Sequence, residues 1–112
     1  MIPRTVLPLL ALLSAPAVAA PAGGNPFNDR LLALSPVLQR AAMRQAITNN
    51  NLRCGRVEWA RFQQPWGNLM MWTARCTPGG DYGIFVGRDQ SVQVRRCAET
   101  ATLKLPACRP RS

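Results

Sequence analysis

Four cysteines and a large excess of arginine are the residues of this sequence whose side chains could do chemistry. The cysteines are Cys54, Cys76, Cys97 and Cys108, and no two of them form a CxxC redox motif. The chain has no histidine, which removes the commonest general base and the commonest metal ligand. A zinc site would therefore need all four cysteines to converge. We expect neither a bound metal nor a cofactor.

The other polar residues form no recognisable catalytic group. Ser35 precedes Pro36 and is predicted to cap a helix, and Ser91 lies in no nucleophile-elbow motif (GxSxG). Asp81 and Asp89 occupy turn sequences, where aspartate is locally favoured, and they form no evident carboxylate pair. We therefore expect no enzymatic activity and assign no catalytic residue.

The first nineteen residues have the pattern of a cleaved Sec-type signal peptide. A single Arg4 precedes the apolar run Val6–Leu13, and residues 17–19 (AVA) fit the small-x-small cleavage pattern. The alternative is a membrane anchor, but the apolar run is short for a hydrocarbon core of ~30 Å and no basic stop sequence follows it. We expect cleavage after Ala19 and export to the periplasm or beyond the cell.

The net charge is strongly positive. Fourteen Lys and Arg, thirteen of them Arg, stand against five Asp and Glu, so the chain of 112 residues carries +9. Removal of residues 1–19 would take away Arg4 alone and leave 93 residues with a charge of +8. A chain of this length forms one domain, and a charge of this sign suits an anionic partner.

The first half of the remaining chain predicts one main helix. Residues 20–34 open with the sequence APAGGNPFN, typical of a flexible lead, and end in one or two helical turns over Asp29–Leu34. Ser35-Pro36 is a helix start signal, and the residues from Pro36 to about Asn49 are mostly good helix formers. The asparagines that follow favour a helix end there.

After Cys54 the hydrophobic period shortens to about two residues, which predicts β-strands. We expect four strands, at about residues 56–62, 69–76, 82–86 and 91–97, joined by short turns rich in Gly, Pro and Asn. The predicted fold class is α+β. One main helix packs on a four-stranded antiparallel meander that is cross-linked by disulfides, over residues 35–108. Residues 109–112 are predicted to form a disordered tail.

Folding the strands about their turns predicts a register. Ile84 is expected opposite Val94 in the last hairpin and opposite Ala74 in the middle one, with Val57 opposite Ala74 in the first. This register collects the large apolar side chains, including Trp72, on one face, and a slip of one residue would scatter them. We expect the main helix to cover that face.

Four cysteines in a short exported chain are typical of two disulfides. The register favours Cys54–Cys76, across the first hairpin, together with Cys97–Cys108, which would hold the C-terminal segment. The alternative is Cys76–Cys97 with Cys54–Cys108. It requires a strongly curled sheet, because Cys76 and Cys97 lie two strands apart, about 9–10 Å in a flat sheet. Both pairings remain open at this point.

Arginines gather at the same end of the predicted sheet as the cysteines. The predicted patch for an anionic partner consists of Arg56, Arg75, Arg95 and Arg96. Arg75 and Arg95 are expected on the face away from the helix, beside Met71, Phe85 and bare glycine backbone. Such a face could receive an anionic, partly apolar ligand. Alternatively, the arginines only protect the two edge strands from aggregation.

The chain resembles small exported bacterial proteins of unassigned function over about residues 36–97. The resemblance is carried by a Cys…Trp-x3-Cys-x5-Tyr…Cys meander formed by Cys54, Val57, Trp72, Cys76, Tyr82 and Cys97. It implies an exported α+β protein and brings no activity with it.

The sequence as a whole predicts a non-enzymatic exported protein that binds an anionic ligand or surface. The candidate partners are an anionic polymer, a lipid surface or an acidic protein, and there is no specific nucleic-acid motif. The alternative function is a structural or inhibitory protein that engages another periplasmic protein through its exposed sheet face.

Overall fold

Two helices and four strands follow one another along the chain in the computed structural model, which describes residues 24–109. The elements are α1 (Pro26–Ala33), α2 (Pro36–Asn49), β1 (Val57–Trp66), β2 (Leu69–Cys76), β3 (Gly80–Gly87) and β4 (Val92–Arg96). The strands form one antiparallel sheet in the order β1-β2-β3-β4, so the predicted α+β class is confirmed. The predicted signal peptide and residues 110–112 of the predicted tail lie outside the described residues.

Helix α2 begins and ends where its local chemistry predicts. The Ser35 hydroxyl accepts a hydrogen bond from the Leu38 N–H, which would otherwise lack a partner in the first turn. Pro36 occupies the first helical position, where its fixed φ suits the helix and its missing N–H costs nothing. Beyond the helix Asn51 has a φ of 63°, the left-handed conformation that asparagine tolerates.

Helix α1 contains the helical turns predicted over Asp29–Leu34 but begins earlier, at Pro26. The Asn25 side chain caps it by accepting a hydrogen bond of 2.9 Å from the Asn28 N–H, and both asparagines are buried. Asn28 accepts a hydrogen bond of 2.6 Å from the Trp72 indole, and Asn25 donates one of 3.2 Å to the Val86 carbonyl. The earlier start was not predicted because Pro and Asn, which usually indicate a loop, here start a helix, and the asparagines bond to the sheet.

The predicted register is right in one hairpin and shifted in another. Ile84 lies opposite Val94, as expected. Between β2 and β3, however, Ala74 lies opposite Tyr82 and not opposite Ile84. The turn is shorter than expected, because Gly80 already pairs with Cys76. A shift of two residues keeps every side chain on its face, so the predicted apolar face survives the error.

Strand β1 departs further from the prediction because it contains two bulges. Val57 lies opposite Cys76, two residues from its predicted partner, and the register slips before Trp59 and again after Phe62. The first bulge places Trp59 opposite Arg75, on the face away from the helices. A bulge adds one residue to a strand without any turn chemistry, so neither bulge was predicted.

The helices enclose the main core against one face of the sheet. The largest fully buried side chains on this face are Met43, Ile47, Trp72, Tyr82, Ile84 and Val86. Trp72 also packs edge-to-face on Phe62, with ring centroids 6.0 Å apart. Burial of each large apolar side chain contributes roughly 1.5–3 kcal/mol to folding.

The opposite face of the sheet is buried as well, which corrects the expectation of an open surface there. Met71, Thr73 and Phe85 are only 0%, 1% and 2% exposed. Gly83 lies against both apolar residues, since a Cβ built on it would stand 3.2 Å from Met71 Cε and 3.3 Å from the Phe85 ring. The centre of the face on which an anionic, partly apolar ligand was expected is therefore covered.

The C-terminal segment, residues 98–109, covers this second face. It returns from β4 across the sheet to β1, where it bonds to the Gln63 side chain. The Gln63 amide nitrogen donates to the Ala107 carbonyl, and the Gln63 amide oxygen accepts from the Arg109 N–H, each at 2.9 Å. The Arg61 guanidinium donates to the Arg109 carbonyl. Arg109, expected to begin a disordered tail, is instead bound to β1.

Both favoured disulfides are present. Cys54–Cys76 joins the loop before β1 to the end of β2, with Cα atoms 5.1 Å apart, and Cys97–Cys108 ties the C-terminal segment to the end of β4, with Cα atoms 5.6 Å apart. The alternative pairing is thereby wrong. The bulged register of β1 brings Cys54 close to Cys76 without any curl of the sheet.

Candidate functional site

The four predicted patch arginines divide into two pairs with different surroundings. Arg56 and Arg75 form ion pairs with carboxylates near the start of β1. Arg95 and Arg96 lie in β4 and have no carboxylate partner within residues 24–109. The structure therefore does not unite the four into one unpaired positive surface.

The first pair belongs to a charge-balanced group, the paired cluster of Arg56, Glu58, Arg75 and Asp81. Arg75 donates two hydrogen bonds to Asp81, of 2.8 and 3.0 Å, in the bidentate geometry that favours arginine. The hydrogen bond from Arg56 to Glu58, 3.1 Å long, lowers the pKa of the Glu58 carboxyl. The hydrogen bond to Asp81 raises the pKa of Arg75. Two cations thus face two anions, and little charge is left for a partner.

Trp59 completes the surroundings of the paired cluster. The guanidinium carbons of Arg61 and Arg75 lie 5.9 and 5.6 Å from the centre of its rings, within the range of cation–π attraction. The indole is buried between them. Arg75 is therefore held by an aromatic ring as well as by Asp81.

Strand β4 forms one edge of the sheet, and half of its main-chain groups point away from the sheet. The Gly87 N–H donates a hydrogen bond of 2.8 Å to the Ser91 carbonyl, just before β4. In an antiparallel pair every second residue bonds to the neighbouring strand, so from Ser91 onward alternate residues bond to β3. The residues between them, Val92, Val94 and Arg96, direct their N–H and C=O groups outward. In the described part of the chain no strand lies beyond them.

Arg95 lies at this open edge. Its guanidinium donates a hydrogen bond of 2.9 Å to the outward-facing carbonyl of Val94, and the residue is half-buried. Arg96 points to the helix side, where its guanidinium lies 5.8 Å from the centre of the Tyr82 ring. The Tyr82 hydroxyl donates in turn to the Arg53 carbonyl at 2.7 Å. Adjacent residues of β4 therefore present positive charge on both sides of the edge.

A cleft of about 280 Å³, the segment-side cleft, opens beside β4 on the face that the C-terminal segment covers. Its walls include Trp66, Phe85, Gln93, Arg95, Leu103 and Leu105. Trp66 packs edge-to-face on Phe85, with centroids 6.0 Å apart, and remains 38% exposed. The cleft thus combines exposed apolar surface with one cation at its rim.

A second opening of about 260 Å³, the helix-side groove, lies on the other face between α2 and the outer strands. Its walls are almost wholly apolar and include Phe27, Met43, Ala46, Ile84, Val86 and Val92. Edge strand β4 therefore has an apolar recess on each side, with Arg95 at the rim of the segment-side cleft.

Sequence reasoning missed the covered second face, although a signal for it exists. Residues 69–72 (LMMW) and 83–87 (GIFVG) are continuous apolar runs, whereas a half-exposed strand alternates between apolar and polar side chains. Continuous runs are typical of strands buried on both faces. The contribution of α1 to the helix-side groove had no comparable signal, because Phe27 stands alone in a polar stretch.

The described residues contain few of the groups that catalysis uses. All four cysteines are engaged in disulfides, and no three His, Cys, Asp or Glu side chains within residues 24–109 lie together as a metal site would need. No helix in that range is long and apolar enough to cross a membrane. What the arrangement around β4 can do is bind, through main-chain groups, apolar recesses and two arginines.

In comparisons with protein-family models, curated proteins and solved structures, the chain matched none of them.

Proposed function

We propose that this protein is an exported, non-enzymatic binding protein for an anionic partner and that the partner binds at the edge formed by β4. One observation carries the proposal. Arg95 and Arg96, alone among the four patch arginines, have no carboxylate partner within residues 24–109, and they lie in an edge strand that has an apolar recess on each side. Export is supported by the signal-peptide pattern of residues 1–19 and by the two disulfides, which suit an oxidising compartment.

The charge balance supports the same conclusion. Without Arg4 and Arg111, which lie outside the described residues, twelve Lys and Arg remain against five Asp and Glu. Glu58 and Asp81 form ion pairs within the paired cluster, and Asp89 accepts a hydrogen bond from the Ser91 N–H in its own turn. An excess of this kind attracts an anionic partner over roughly 10 Å at 0.1 M salt.

The test compares two double variants that lower the net charge equally. Arg95→Gln/Arg96→Gln changes the β4 edge, whereas Arg40→Gln/Arg44→Gln changes helix α2, whose Arg44 binds the Gly55 carbonyl near β1. The probes are a heparin oligosaccharide, phosphatidylglycerol vesicles and a fluorescent glutamate-rich peptide. At low salt we expect the β4 variant to weaken binding of at least one probe about tenfold, with little effect of the α2 variant.

Added salt should weaken the binding of the unchanged protein, because exposed charges are screened. Equal losses in the two variants would show that net charge alone attracts the probes, with no site at β4. If none of the probes binds at low salt, the proposed function is wrong.

A further inference from the structure

We propose that β4 pairs with an extended, acidic segment of a partner protein, which adds to the sheet as a fifth strand. The added segment would bond to the outward main-chain groups of Val92, Val94 and Arg96, and its apolar side chains would enter the two recesses that flank β4. This inference rests on the proposed function and names the chemistry of its partner. It is the strand-addition mode of peptide recognition, in which main-chain bonds give affinity and side-chain recesses give specificity.

The two edges of the sheet differ in how well they are protected against such pairing. Edge strands are commonly blunted by bulges, by proline or by a covering segment. Strand β1 has all three: two bulges, Pro65 within the strand, and the C-terminal segment bound to it through Gln63. The β3–β4 register has no such irregularity, and β4 contains no proline. Its ladder is therefore regular, although Val94 at the centre is only 3% exposed and its carbonyl binds the Arg95 guanidinium, which an added strand would displace.

The recesses are placed where the side chains of an added strand would fall. Neighbouring strands lie about 4.7–4.9 Å apart, and successive side chains point to opposite faces. A strand beside β4 would therefore alternate between the helix-side groove next to Val92 and the segment-side cleft next to Gln93 and Arg95. At about 260 and 280 Å³, each recess is smaller than the roughly 300–1,000 Å³ of a small-molecule site. Two such recesses fit single side chains better than one compact ligand.

The two arginines of β4 indicate that the partner segment is acidic. Arg95 and Arg96 point to opposite sides of the edge, so a strand with carboxylates on both of its faces can reach each of them. Arg95 now donates to the Val94 carbonyl, which is an acceptor that the added strand would use. On pairing, an N–H of the partner replaces the guanidinium at that carbonyl, and the guanidinium is released to bind a carboxylate.

A second copy of this chain fits the edge poorly. Strand β4 carries two arginines and no acid, so pairing β4 with itself would bring four positive charges together on one ribbon. A polysaccharide or a lipid headgroup suits the charges but lacks the alternating N–H and C=O groups of an extended peptide. The combination of an unpaired ladder, two small apolar recesses and two arginines therefore favours an acidic peptide segment.

The test uses two synthetic nine-residue peptides of the same sequence, built from glutamate, valine and phenylalanine with an apolar and an acidic residue on each face. One has ordinary amides. The other is N-methylated at every residue, which preserves side chains and charge but removes the N–H groups of both strand edges. We expect the ordinary peptide to bind at least tenfold more tightly than the methylated one. Binding should slow the amide hydrogen exchange of Val92 and Val94.

The protein variant Val92→Pro provides a second measurement, because it removes an outward N–H at the first position of β4, where proline is tolerated. We expect it to weaken binding of the ordinary peptide and to leave binding of heparin unchanged. If Val92→Pro fails to fold, the methylated peptide still decides the question.

The outcomes separate the inference from the proposed function. Equal affinities of the two peptides would overturn strand addition while leaving an anion-binding edge in place. The same conclusion follows if neither peptide binds but heparin or vesicles bind in a manner that depends on Arg95 and Arg96. If none of the anionic probes binds, the proposed function falls together with the inference.

Discussion

The two faces of the sheet are buried to a similar degree but by different means. The first face is covered by α1 and α2, regular elements whose apolar side chains Leu31, Met43 and Ile47 enter the main core. The second is covered by residues 98–109, which contain no strand or α-helix and are held by Cys97–Cys108 and by hydrogen bonds to β1. A small chain can therefore close a sheet on both sides with one layer of helices and one layer of covalently anchored irregular chain.

The two helices form the first cover and residues 98–109 the second, and the two covers are stabilised differently. A helix satisfies its own main-chain groups, so α2 needs only an apolar side to pack well. The C-terminal segment has no such internal pattern and takes partners from elsewhere, notably the Gln63 side chain, whose oxygen also accepts a 2.6 Å hydrogen bond from the Thr73 hydroxyl. We expect the second cover to depend on a few polar contacts and one disulfide, and the first to depend on packing.

The largest effects should come from a pair of methionines that lie on the two faces. Met43 in α2 and Met71 in β2 are 1% and 0% exposed, so replacing either by alanine opens a cavity in a closed core. We expect Met43→Ala and Met71→Ala each to lower the free energy of unfolding by about 2–5 kcal/mol in chemical denaturation. Leu38→Ala, at an exposed position of α2, is the control, and should cost under about 0.5 kcal/mol. A negligible effect of Met71→Ala would mean that the second face is open.

Removal of each disulfide should show which one holds the second cover in place. Each double alanine variant is expected to lose about 3 kcal/mol of unfolding free energy, since the bonds close loops of 22 and 11 residues. Cys97→Ala/Cys108→Ala should in addition speed the amide hydrogen exchange of Met71 and Phe85, because their cover is released. If Cys54→Ala/Cys76→Ala speeds exchange at those residues equally, the second cover does not depend on its own disulfide.

Smaller effects are expected from the polar contacts that hold α1 and the C-terminal segment. Asn28→Ala leaves the buried Trp72 indole N–H without its acceptor, so we expect a loss of about 1–3 kcal/mol. Gln63→Ala should cost less, about 0.5–1.5 kcal/mol, because water can reach part of its network. Thermal denaturation of both variants beside the exposed Asn68→Ala control would measure the difference. A larger loss for Gln63→Ala would mean that the polar contacts of the C-terminal segment contribute more to stability than the hydrogen bond between Asn28 and Trp72.

The smallest effect should be that of pH on the exposed carboxylates. The pKa values of Glu58 and Asp89 are lowered, the first mainly by the hydrogen bond from Arg56 and the second by hydrogen bonds from Ser91. In the acid range the unfolded chain therefore binds more protons than the folded one, and stability falls as pH drops through the lowered pKa values. Denaturation between about pH 5 and pH 2 should show a shallow loss, which Glu58→Gln reduces. A steep loss unchanged by Glu58→Gln would point to other carboxyls.

Features that depend on neighbouring residues were predictable. The limits of α2 follow from Ser35-Pro36 at one end and from a run of asparagines at the other, so the predicted and observed helices coincide. The apolar face of the sheet survived a register error of two residues because side chains repeat with that period. The disulfide pairing followed from the order of strands along the meander.

Features that depend on distant residues were not predictable from these patterns. The start of helix α1 is stabilised by bonds to Trp72 and Val86, far along the chain, and the sequence predicted helical turns only from Asp29 onward. The path of residues 98–109 depends on Gln63, more than forty residues earlier, and no period in the segment indicates that contact. The bulges of β1 adapt the strand to its neighbours and carry no local signal.

The sequence by itself determined the α+β class, the positive charge and the cysteine pairs available for bonding, because composition and short-range periodicity suffice for these. Only the tertiary structure decided which arginines are left for a partner. In the predicted register Arg75 would have faced Gly83, whereas the shift of two residues places it opposite Asp81 and pairs it there. Arg95 and Arg96, whose strand register was right, have no carboxylate partner among residues 24–109. Ion pairing requires contact over a few ångströms, so a change of register too small to alter the fold is enough to move the candidate site.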